Sequence, residues 1–220
     1  FPFYLTYIFS CTIGVAIDSE GNSILWKNRD KGFSDENEDE DRRSTITYIS
    51  DSADNYNYTQ ITSYNSMAPY MGMNEHGFAI GNSLVQSDDD INCGNSNIRP
   101  IDDEHALIRR ALESCKNLDD FLSLVDSLEA TDPNQCNIMD ETLCGNSSND
   151  CIWIDIDECT ACYPDNQDHI QSNFAVIDAS GNAAIVEINT FSDTVQIEID
   201  SLTSSNPAIF RSNHFKVLNN

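Results

Sequence analysis

Short stretches of β-branched and small residues, separated by turn residues, recur along the first part of the chain. Residues 11–18 and 23–28 are two such stretches, and the Ser-Glu-Gly-Asn segment between them has the composition of a tight turn. They predict an antiparallel β-hairpin. The same pattern predicts strands over residues 44–49 and 58–63, and a strand–turn–strand unit over 71–82 with Glu-His-Gly at its turn.

The hydrophobic spacing changes to a helical period after residue 102. Asp102 or Asp103 is suited to cap a first helix and Asn117 a second, because short polar side chains accept hydrogen bonds from the exposed N–H groups of a first turn. The first helix carries its apolar side chains on one face, at Leu107, Ile108, Ala111, Leu112 and Cys115. The second has an apolar stripe with helical spacing, at Leu118, Phe121, Leu122, Val125 and Leu128.

Strands resume behind a cysteine-rich segment at about residues 131–171. Residues 173–178 and 183–189 flank a Ser-Gly-Asn turn, and a further strand is predicted over 195–199. The order along the chain is therefore strands, helices and strands again, with hairpins between neighbouring strands. This order predicts an α+β fold with antiparallel sheets rather than a doubly wound parallel sheet.

The composition excludes several classes of function. The 220 residues include 11 Lys and Arg against 37 Asp and Glu, which gives a formal net charge of −26. A chain this acidic lacks the basic footprint that binding to nucleic acid or anionic lipid requires, and no apolar run approaches the roughly 20 residues of a membrane span. With 40% hydrophobic residues the chain can fold around a core, and its length suits one domain.

The first ten residues differ from the rest of the chain. They are largely apolar and end in Ser10, directly before Cys11. An apolar stretch followed by a small residue is typical of the end of a secretory signal, and the alternative is an aromatic-rich first strand. We expect residues 1–10 to be the remnant of a signal or propeptide, and residues 11–220 to be the domain, with the cysteine-rich segment as an insertion.

The use of cysteine indicates the compartment. Five of the eight cysteines lie within residues 136–162, where few apolar residues are present and disulfides are the usual substitute for a core. This segment has one C-x2-C pair without the second pair of a zinc site, so no metal is expected. Sequons at Asn57 and Asn146 would accept N-glycans. We predict a secreted or lysosomal glycoprotein whose disulfide pairing is open.

Cys11 is the candidate nucleophile, because it stands apart from the other cysteines. A cysteine attacks as a thiolate, so a nearby base must take its proton, and no histidine is close to it in the sequence. Cleavage between Ser10 and Cys11 would supply such a base, since a free α-amino group has a pKa of about 7.7–8.0. Nucleophile and base would then belong to one residue.

Three further polar clusters follow predicted strands. Lys27, Arg29 and Asp30 end the strand that folds back beside the first one, where a carboxylate would orient an amine or thiol and a cation would bind an acyl oxygen. Asn82 ends another strand, and its amide could donate to an oxyanion. Asn213 lies in an Arg-Ser-Asn-His-Phe segment. Taken singly, each cluster is also typical of a charged strand end or a turn.

Several of these segments together resemble one family. Cys-Thr at 11–12, Lys-Asn-Arg-Asp at 27–30, Gly-Met-Asn-Glu-His-Gly-Phe at 72–78 and Ser-Asn-His-Phe at 212–215 occur in the order found in N-terminal-nucleophile (Ntn) cysteine hydrolases. The resemblance is to the branch related to isopenicillin-N acyltransferase and choloylglycine hydrolase. Asp-Ala-Ser-Gly at 178–181 is similar to that family too.

The resemblance implies an αββα sandwich of antiparallel sheets and the hydrolysis or transfer of an acyl group from a small amide, without a cofactor. Cys11 aligns with the nucleophile that autoprocessing exposes, and Asp30 with the aspartate that contacts its amine and thiol. Asn82 aligns with the oxyanion-hole asparagine and Asn213 with a second active-site asparagine. Relatives continue beyond this point, so we expect the sequence to be incomplete at its C-terminus. The alternatives are that another chain completes the sandwich or that the protein is inactive.

Two questions stay open after the resemblance. Lys27 stands where bile-salt hydrolases carry arginine, and Arg29 follows two residues later, so either cation could support the substrate or the thiolate. The partner is expected to be a small acylated amide, with a thioester acyl-enzyme as intermediate. Alternative functions are a clan-related dipeptidase and a non-catalytic, acidic, disulfide-stapled secreted binding protein.

Overall fold

Antiparallel strands make up most of the structure, with two helices between them. The structure is a computed structural model, and it describes residues 11–28, 44–50, 55–64, 66–84, 91–93, 96–98, 103–128, 151–156, 159–164, 170–190 and 194–212. The predicted signal or propeptide remnant at 1–10 lies outside these ranges. In chain order the first strands are β1 (Thr12–Ile17), β2 (Ser23–Asn28), β3 (Ser44–Ile49), β4 (Tyr58–Ser63), β5 (Pro69–Asn74), β6 (Ala79–Leu84), β7 (Ile91–Cys93) and β8 (Ser96–Ile98). Then follow α1 (Asp103–Ser114), α2 (Leu118–Val125), β9 (Cys151–Ile156), β10 (Cys159–Pro164), β11 (Gln171–Ile177), β12 (Ala183–Asn189), β13 (Gln196–Ser201) and β14 (Ala208–Arg211).

Two antiparallel sheets form the centre of the described part of the molecule. The larger has seven strands in the order β13-β12-β11-β6-β5-β4-β3, and the smaller has three in the order β14-β1-β2. Strands β9 and β10 form a separate two-stranded ribbon, as do β7 and β8. The small sheet packs on the middle of the large sheet, against β6, β11 and β12, while α1 packs on the opposite face against β5 and β6.

Side chains alternate between the two faces of the central strands, so the large sheet has a hydrophobic core on each face. Along β11, Phe174 and Val176 belong to the core that the large sheet shares with the helices, while Ala175 and Ile177 belong to the core between the two sheets. Both faces of the strand are therefore buried, which explains the four consecutive apolar residues at 174–177 in its second half. One helix layer and two sheets are thus described, and the fold is mostly antiparallel β with few helices. The complete αββα sandwich stays a prediction.

Three hairpin turns in the molecule have the same geometry. In each, a side-chain oxygen accepts hydrogen bonds from the backbone N–H groups two and four residues later, and the glycine three residues later has a positive φ. The first residues of these turns are Asp18, Asn74 and Asp178, and their glycines are Gly21, Gly77 and Gly181 at φ 88°, 78° and 86°. The hydrogen bonds from Asn22 lower the pKa of the exposed Asp18.

Substitutions at two of these glycines are expected to separate backbone strain from crowding. Gly21→Ala should cost about 1–2 kcal/mol of unfolding free energy from backbone strain alone, because L-residues resist a positive φ. Crowding adds nothing at this position, since a Cβ there meets no atom within 4 Å. Gly77→Ala should cost roughly 1 kcal/mol more, since its Cβ would lie 3.0 Å from that of Ala179. Urea denaturation of both variants measures the difference. Equal losses would contradict the crowding at Gly77.

Most predicted elements are confirmed, some with the same bounds. The hairpin over 11–28 is β1 and β2, and the strands predicted over 44–49 and 58–63 are β3 and β4. Asn117 caps α2, as predicted, with its side chain accepting from the N–H of Asp120 at 2.9 Å. The helix ends at Val125, so Leu128 is buried beyond the helix rather than on its stripe.

Five strands were not predicted from the pattern. Strands β9 and β10 lie inside the cysteine-rich segment, whose polar residues and cysteines masked the alternation. Strands β7 and β8 have three residues each, too short for any period to show. Strand β14 has four residues, and its neighbour in the sheet is β1, far away in the sequence. Its formation therefore depends on a tertiary partner.

Candidate active site

Cys11 lies directly before β1, at the end of the small sheet, and is half-buried. The first ladder pairs beyond it are Thr12 with Asn28 on β2 and Ile13 with Arg211 on β14. No disulfide formed by the described residues includes the Cys11 thiol. The residue thus stands directly before the first ladder pairs of the small sheet among the described residues.

The carbonyl group of Cys11 is bound by the opposing sheet. Ser83 on β6 donates a hydrogen bond from its Oγ to the Cys11 carbonyl oxygen at 3.1 Å. Ser83 is completely buried, and its own carbonyl oxygen accepts a hydrogen bond from Ser172 Oγ on β11 at 3.2 Å. These contacts tie the candidate nucleophile to the centre of the large sheet. Sequence reasoning did not identify either serine.

Lys27 and Asn82, both predicted as site residues, are in contact. The Lys27 Nζ donates to Asn82 Oδ1 at 3.1 Å and also to the Asn82 carbonyl oxygen, and it lies 5.3 Å from the centre of the Tyr70 ring. A lysine carries only donors, so the amide atom that faces it must be the oxygen. The Asn82 Nδ2 is buried and has no hydrogen-bond partner among the described residues.

The pleat of β6 gives its two polar residues different surroundings. Ser83 contacts Cys11 and hence the small sheet, whereas Asn82 shares the register position of Phe174, whose ring packs in the core beneath the helices. The last pair between β6 and β5 joins Gly81 to Met71, and Lys27 contacts Asn82 on the part of β6 beyond that pair. An unpartnered buried donor is rare, because its burial costs about 1–3 kcal/mol without a hydrogen bond.

A second polar group holds the end of β14 against the large sheet. Arg211 is buried and donates to Glu187 Oε1 on β12 at 2.7 Å and to Asp200 Oδ2 on β13 at 2.8 Å. Next to it, Asn173 Nδ2 donates to the Ser212 carbonyl oxygen at 2.9 Å. The segment that leads to Asn213 is therefore anchored at two points. The sequence carried no signal for the pairing of Glu187 with Arg211.

Four predicted site residues lie outside the described ranges, namely Arg29, Asp30, Asn146 and Asn213. The described sequon residue, Asn57, precedes β4 and donates its side-chain amide to Glu75 Oε2 at 2.9 Å. This hydrogen bond lowers the pKa of the exposed Glu75 carboxyl group. N-glycosylation at Asn57 stays a prediction, and it would use the same nitrogen.

Cys115, at the end of α1, contrasts with Cys11. It is buried in the helix-side core and is in no disulfide. Burial raises the pKa of its thiol to about 11. A thiol with so high a pKa is a poor nucleophile near neutral pH, so Cys115 has a structural role in the core.

Neither a metal site nor a membrane span is found in the part of the chain that the structure describes. Among these residues, no three or more His, Cys, Asp or Glu side chains gather closely enough to hold a metal ion. The helices within the same ranges are too short or too polar to cross a membrane.

Comparison with known proteins relates the fold, and not the sequence, to an amidase. No family model and no curated protein match the chain by sequence. In structure the chain is similar to a Caenorhabditis elegans N-acylethanolamine-hydrolyzing acid amidase (NAAA) ortholog, with a TM-score of 0.53 and 12% identity over 94% of this chain and 71% of that chain. At this identity the likeness shows the fold alone, and the mostly antiparallel sheets with few helices are consistent with an Ntn-hydrolase-like fold. The narrower resemblance to isopenicillin-N acyltransferase and choloylglycine hydrolase stays a prediction.

Proposed function

We propose that this protein is an N-terminal cysteine amidohydrolase or acyltransferase that cleaves the carbon–nitrogen amide bond of a small acylated substrate. The observation that carries the proposal is the place of Cys11 in an Ntn-hydrolase-like fold. Cys11 directly precedes β1, and its carbonyl is held by Ser83 of the opposing sheet. Lys27 on the neighbouring strand contacts Asn82, whose buried amide nitrogen has no hydrogen-bond partner among the described residues.

The proposed chemistry begins with cleavage of the chain between Ser10 and Cys11. The α-amino group so exposed accepts the proton of the thiol, and Sγ attacks the substrate carbonyl to form a tetrahedral oxyanion. The carbon–nitrogen bond then breaks, the leaving amine takes the proton from the α-ammonium, and a thioester to Cys11 remains. Water or a second amine attacks the thioester, which releases the acyl group and returns the proton to the thiol.

Side chains around Cys11 are assigned to the remaining steps. Asn82 Nδ2 is proposed to donate to the oxyanion, because it is a buried donor at the end of β6 with no hydrogen-bond partner among the described residues. Asp30 is proposed to orient the α-ammonium and Asn213 to contact the acyl group, both from the family resemblance. Lys27 or Arg29 is proposed to supply the positive charge that supports the thiolate and the substrate.

Processing and thiol reactivity test the proposal directly. Intact mass spectrometry of active protein should show a chain that begins at Cys11. Iodoacetamide at pH 8 should alkylate Cys11 and leave Cys115 unmodified, because a thiol with a pKa of about 11 is ionised to only about one part in a thousand there. Peptide mapping separates these two sites from the other cysteines. Active protein that retains residues 1–10 would overturn the mechanism.

Replacing Asn82 tests the proposed oxyanion donor. Asn82→Ala is expected to lower kcat by about 10²–10³-fold with little change in KM, since the donor acts on charge that develops only in the transition state. The assay would use N-acylethanolamines, which the structural neighbour hydrolyses according to its name, together with other N-acyl amides and dipeptides. Urea denaturation is the control. A fall in stability with kcat unchanged would assign Asn82 a structural role instead.

The same substrate panel separates the rival functions. Turnover of dipeptides in preference to acyl amides would favour the clan-related dipeptidase, and absence of turnover with an unreactive Cys11 would favour a non-catalytic binding protein.

We further propose passage through the secretory pathway, with a secreted or lysosomal destination. A mobility shift on treatment with an endoglycosidase, lost in Asn57→Gln and Asn146→Gln variants, would support it.

A further inference from the structure

We propose that Ser83 is a positioning residue that holds Cys11 in the orientation needed for attack. The inference rests on the proposed function, since it concerns the nucleophile of that reaction. Its basis is the hydrogen bond from Ser83 Oγ to the Cys11 carbonyl oxygen, 3.1 Å long, which joins residues 72 positions apart in the sequence and belonging to different sheets.

Cys11 gains an anchor from this hydrogen bond, because the ladder pairs given by the described residues begin after it. The pairs with β2 begin at Thr12 and the pairs with β14 at Ile13. After cleavage behind Ser10, the residue would be a chain terminus, and terminal residues fray unless something holds them. A hydrogen bond to its carbonyl fixes the peptide plane between Cys11 and Thr12 and therefore the position of the Cys11 Cα. Both the α-amine and the thiol project from that atom.

The choice of serine at this position has a physical reason. The core between the two sheets is otherwise built from apolar side chains such as Ile13, Val15 and Ile185. A hydroxyl group buried in such a layer costs free energy unless it is hydrogen-bonded, and alanine would fill nearly the same space. Ser83 is completely buried, and its hydroxyl donates a hydrogen bond to the backbone of the proposed nucleophile. The hydroxyl is therefore suited to a positioning role.

Ser83 itself is held rigidly, which a positioning residue requires. Its carbonyl oxygen accepts from Ser172 Oγ at 3.2 Å, and it lies opposite Asn173 in the β6–β11 ladder at the middle of the seven-stranded sheet. At Ser83 the paired neighbour of β6 is β11, since the last pair of β6 with β5 lies two residues earlier at Gly81, and β11 therefore provides the base that holds Ser83 against the start of β1. Because a misplacement of about 1 Å can cost about 10²-fold in rate, losing this anchor should be visible in catalysis.

The test compares Ser83→Ala with Ser83→Thr and with a control in the same sheet. Ser83→Ala is expected to lower kcat by about 10–100-fold with KM within about threefold of the wild type. Ser83→Thr keeps the hydroxyl and should restore most of kcat. The control is Thr62→Val on β4, which removes another buried hydroxyl without a contact to Cys11, and should leave kcat within about threefold. Urea denaturation of all three variants accompanies the kinetics.

A second readout separates positioning from loss of the nucleophile. Alkylation of Cys11 by iodoacetamide needs a thiolate but no aligned substrate, so its rate in Ser83→Ala should fall much less than kcat does. A kcat within threefold of the wild type in Ser83→Ala would overturn the proposal. A parallel loss of kcat in Thr62→Val, or no recovery in a stable Ser83→Thr, would also overturn it.

The anchor can be measured without reference to turnover. In protein labelled with ¹³C at cysteine carbonyls, the Cys11 resonance, assigned by its absence in Cys11→Ala, should shift in Ser83→Ala and not in Thr62→Val. An inactive wild type in which this shift occurs would refute the amidase and leave the anchor in place. An active wild type in which the resonance is unchanged by Ser83→Ala would refute the anchor and leave the amidase.

Discussion

Cys11→Ala is expected to abolish amide cleavage, with a fall in kcat on the order of 10⁴–10⁶-fold. The substitution removes the atom that forms the thioester, and the remaining groups at the site have no substitute for it. The same loss should prevent cleavage behind Ser10, so the variant should retain residues 1–10. Steady-state assays with N-acyl amides, together with intact mass, measure both effects.

Cys115→Ala is the matched control for Cys11→Ala. It removes a thiol that is buried in the helix-side core and whose pKa is raised to about 11 by that burial. We expect kcat within about threefold of the wild type and a loss of roughly 1 kcal/mol of stability for the smaller side chain. A fall in kcat of less than about 10²-fold in Cys11→Ala would contradict a Cys11 nucleophile.

Arg211→Met is expected to give the largest loss of stability, about 3–5 kcal/mol. Arg211 and Glu187 have relative exposures of 3% and 1%, and their atoms Nε and Oε1 are 2.7 Å apart. Removal of the guanidinium takes from the buried Glu187 carboxylate the positive charge that Arg211 supplies, while Asp200 at 26% exposure can be hydrated. Urea denaturation at pH 7 measures the change in unfolding free energy.

The double variant Arg211→Met with Glu187→Leu is the control for this effect. It replaces the buried ion pair with apolar side chains of similar volume, which is often neutral for stability. We expect it to recover most of the stability lost in Arg211→Met. A single variant within about 1 kcal/mol of the wild type would show that the buried carboxylate is compensated by other groups, and would contradict the structural importance of the pair.

The local elements of this fold were predictable because each depends on residues close together in the sequence. The turn at Asp18 uses its own carboxylate and the glycine three positions later, and α2 uses Asn117 and a stripe of apolar residues within three turns. A polar capping residue, a turn glycine and a helical spacing of apolar residues can each be recognised within such a segment of sequence. The short strand β14 was not predictable, because its partner β1 lies at the other end of the chain.

The candidate site was predictable in part for the same reason. Lys27 comes near Cys11 through a single hairpin, and the register of β1 with β2 follows from its turn. Asn82 was selected from its position after a strand of small residues, and its contact with Lys27 required the two sheets to pack. The roles of Arg29, Asp30 and Asn213 remain predictions from the resemblance.

By itself, the sequence determined the hairpins, the helices, the α+β class and the choice of Cys11, since these follow from short-range periodicity, turn chemistry and the spacing of cysteines. Only the tertiary structure decided that Ser83 binds the Cys11 carbonyl and that Arg211 pairs with Glu187. The reason is that a hydrogen bond between two sheets depends on how their faces are stacked. Serine, arginine and glutamate have no pattern along the chain that reveals which distant residue they will meet.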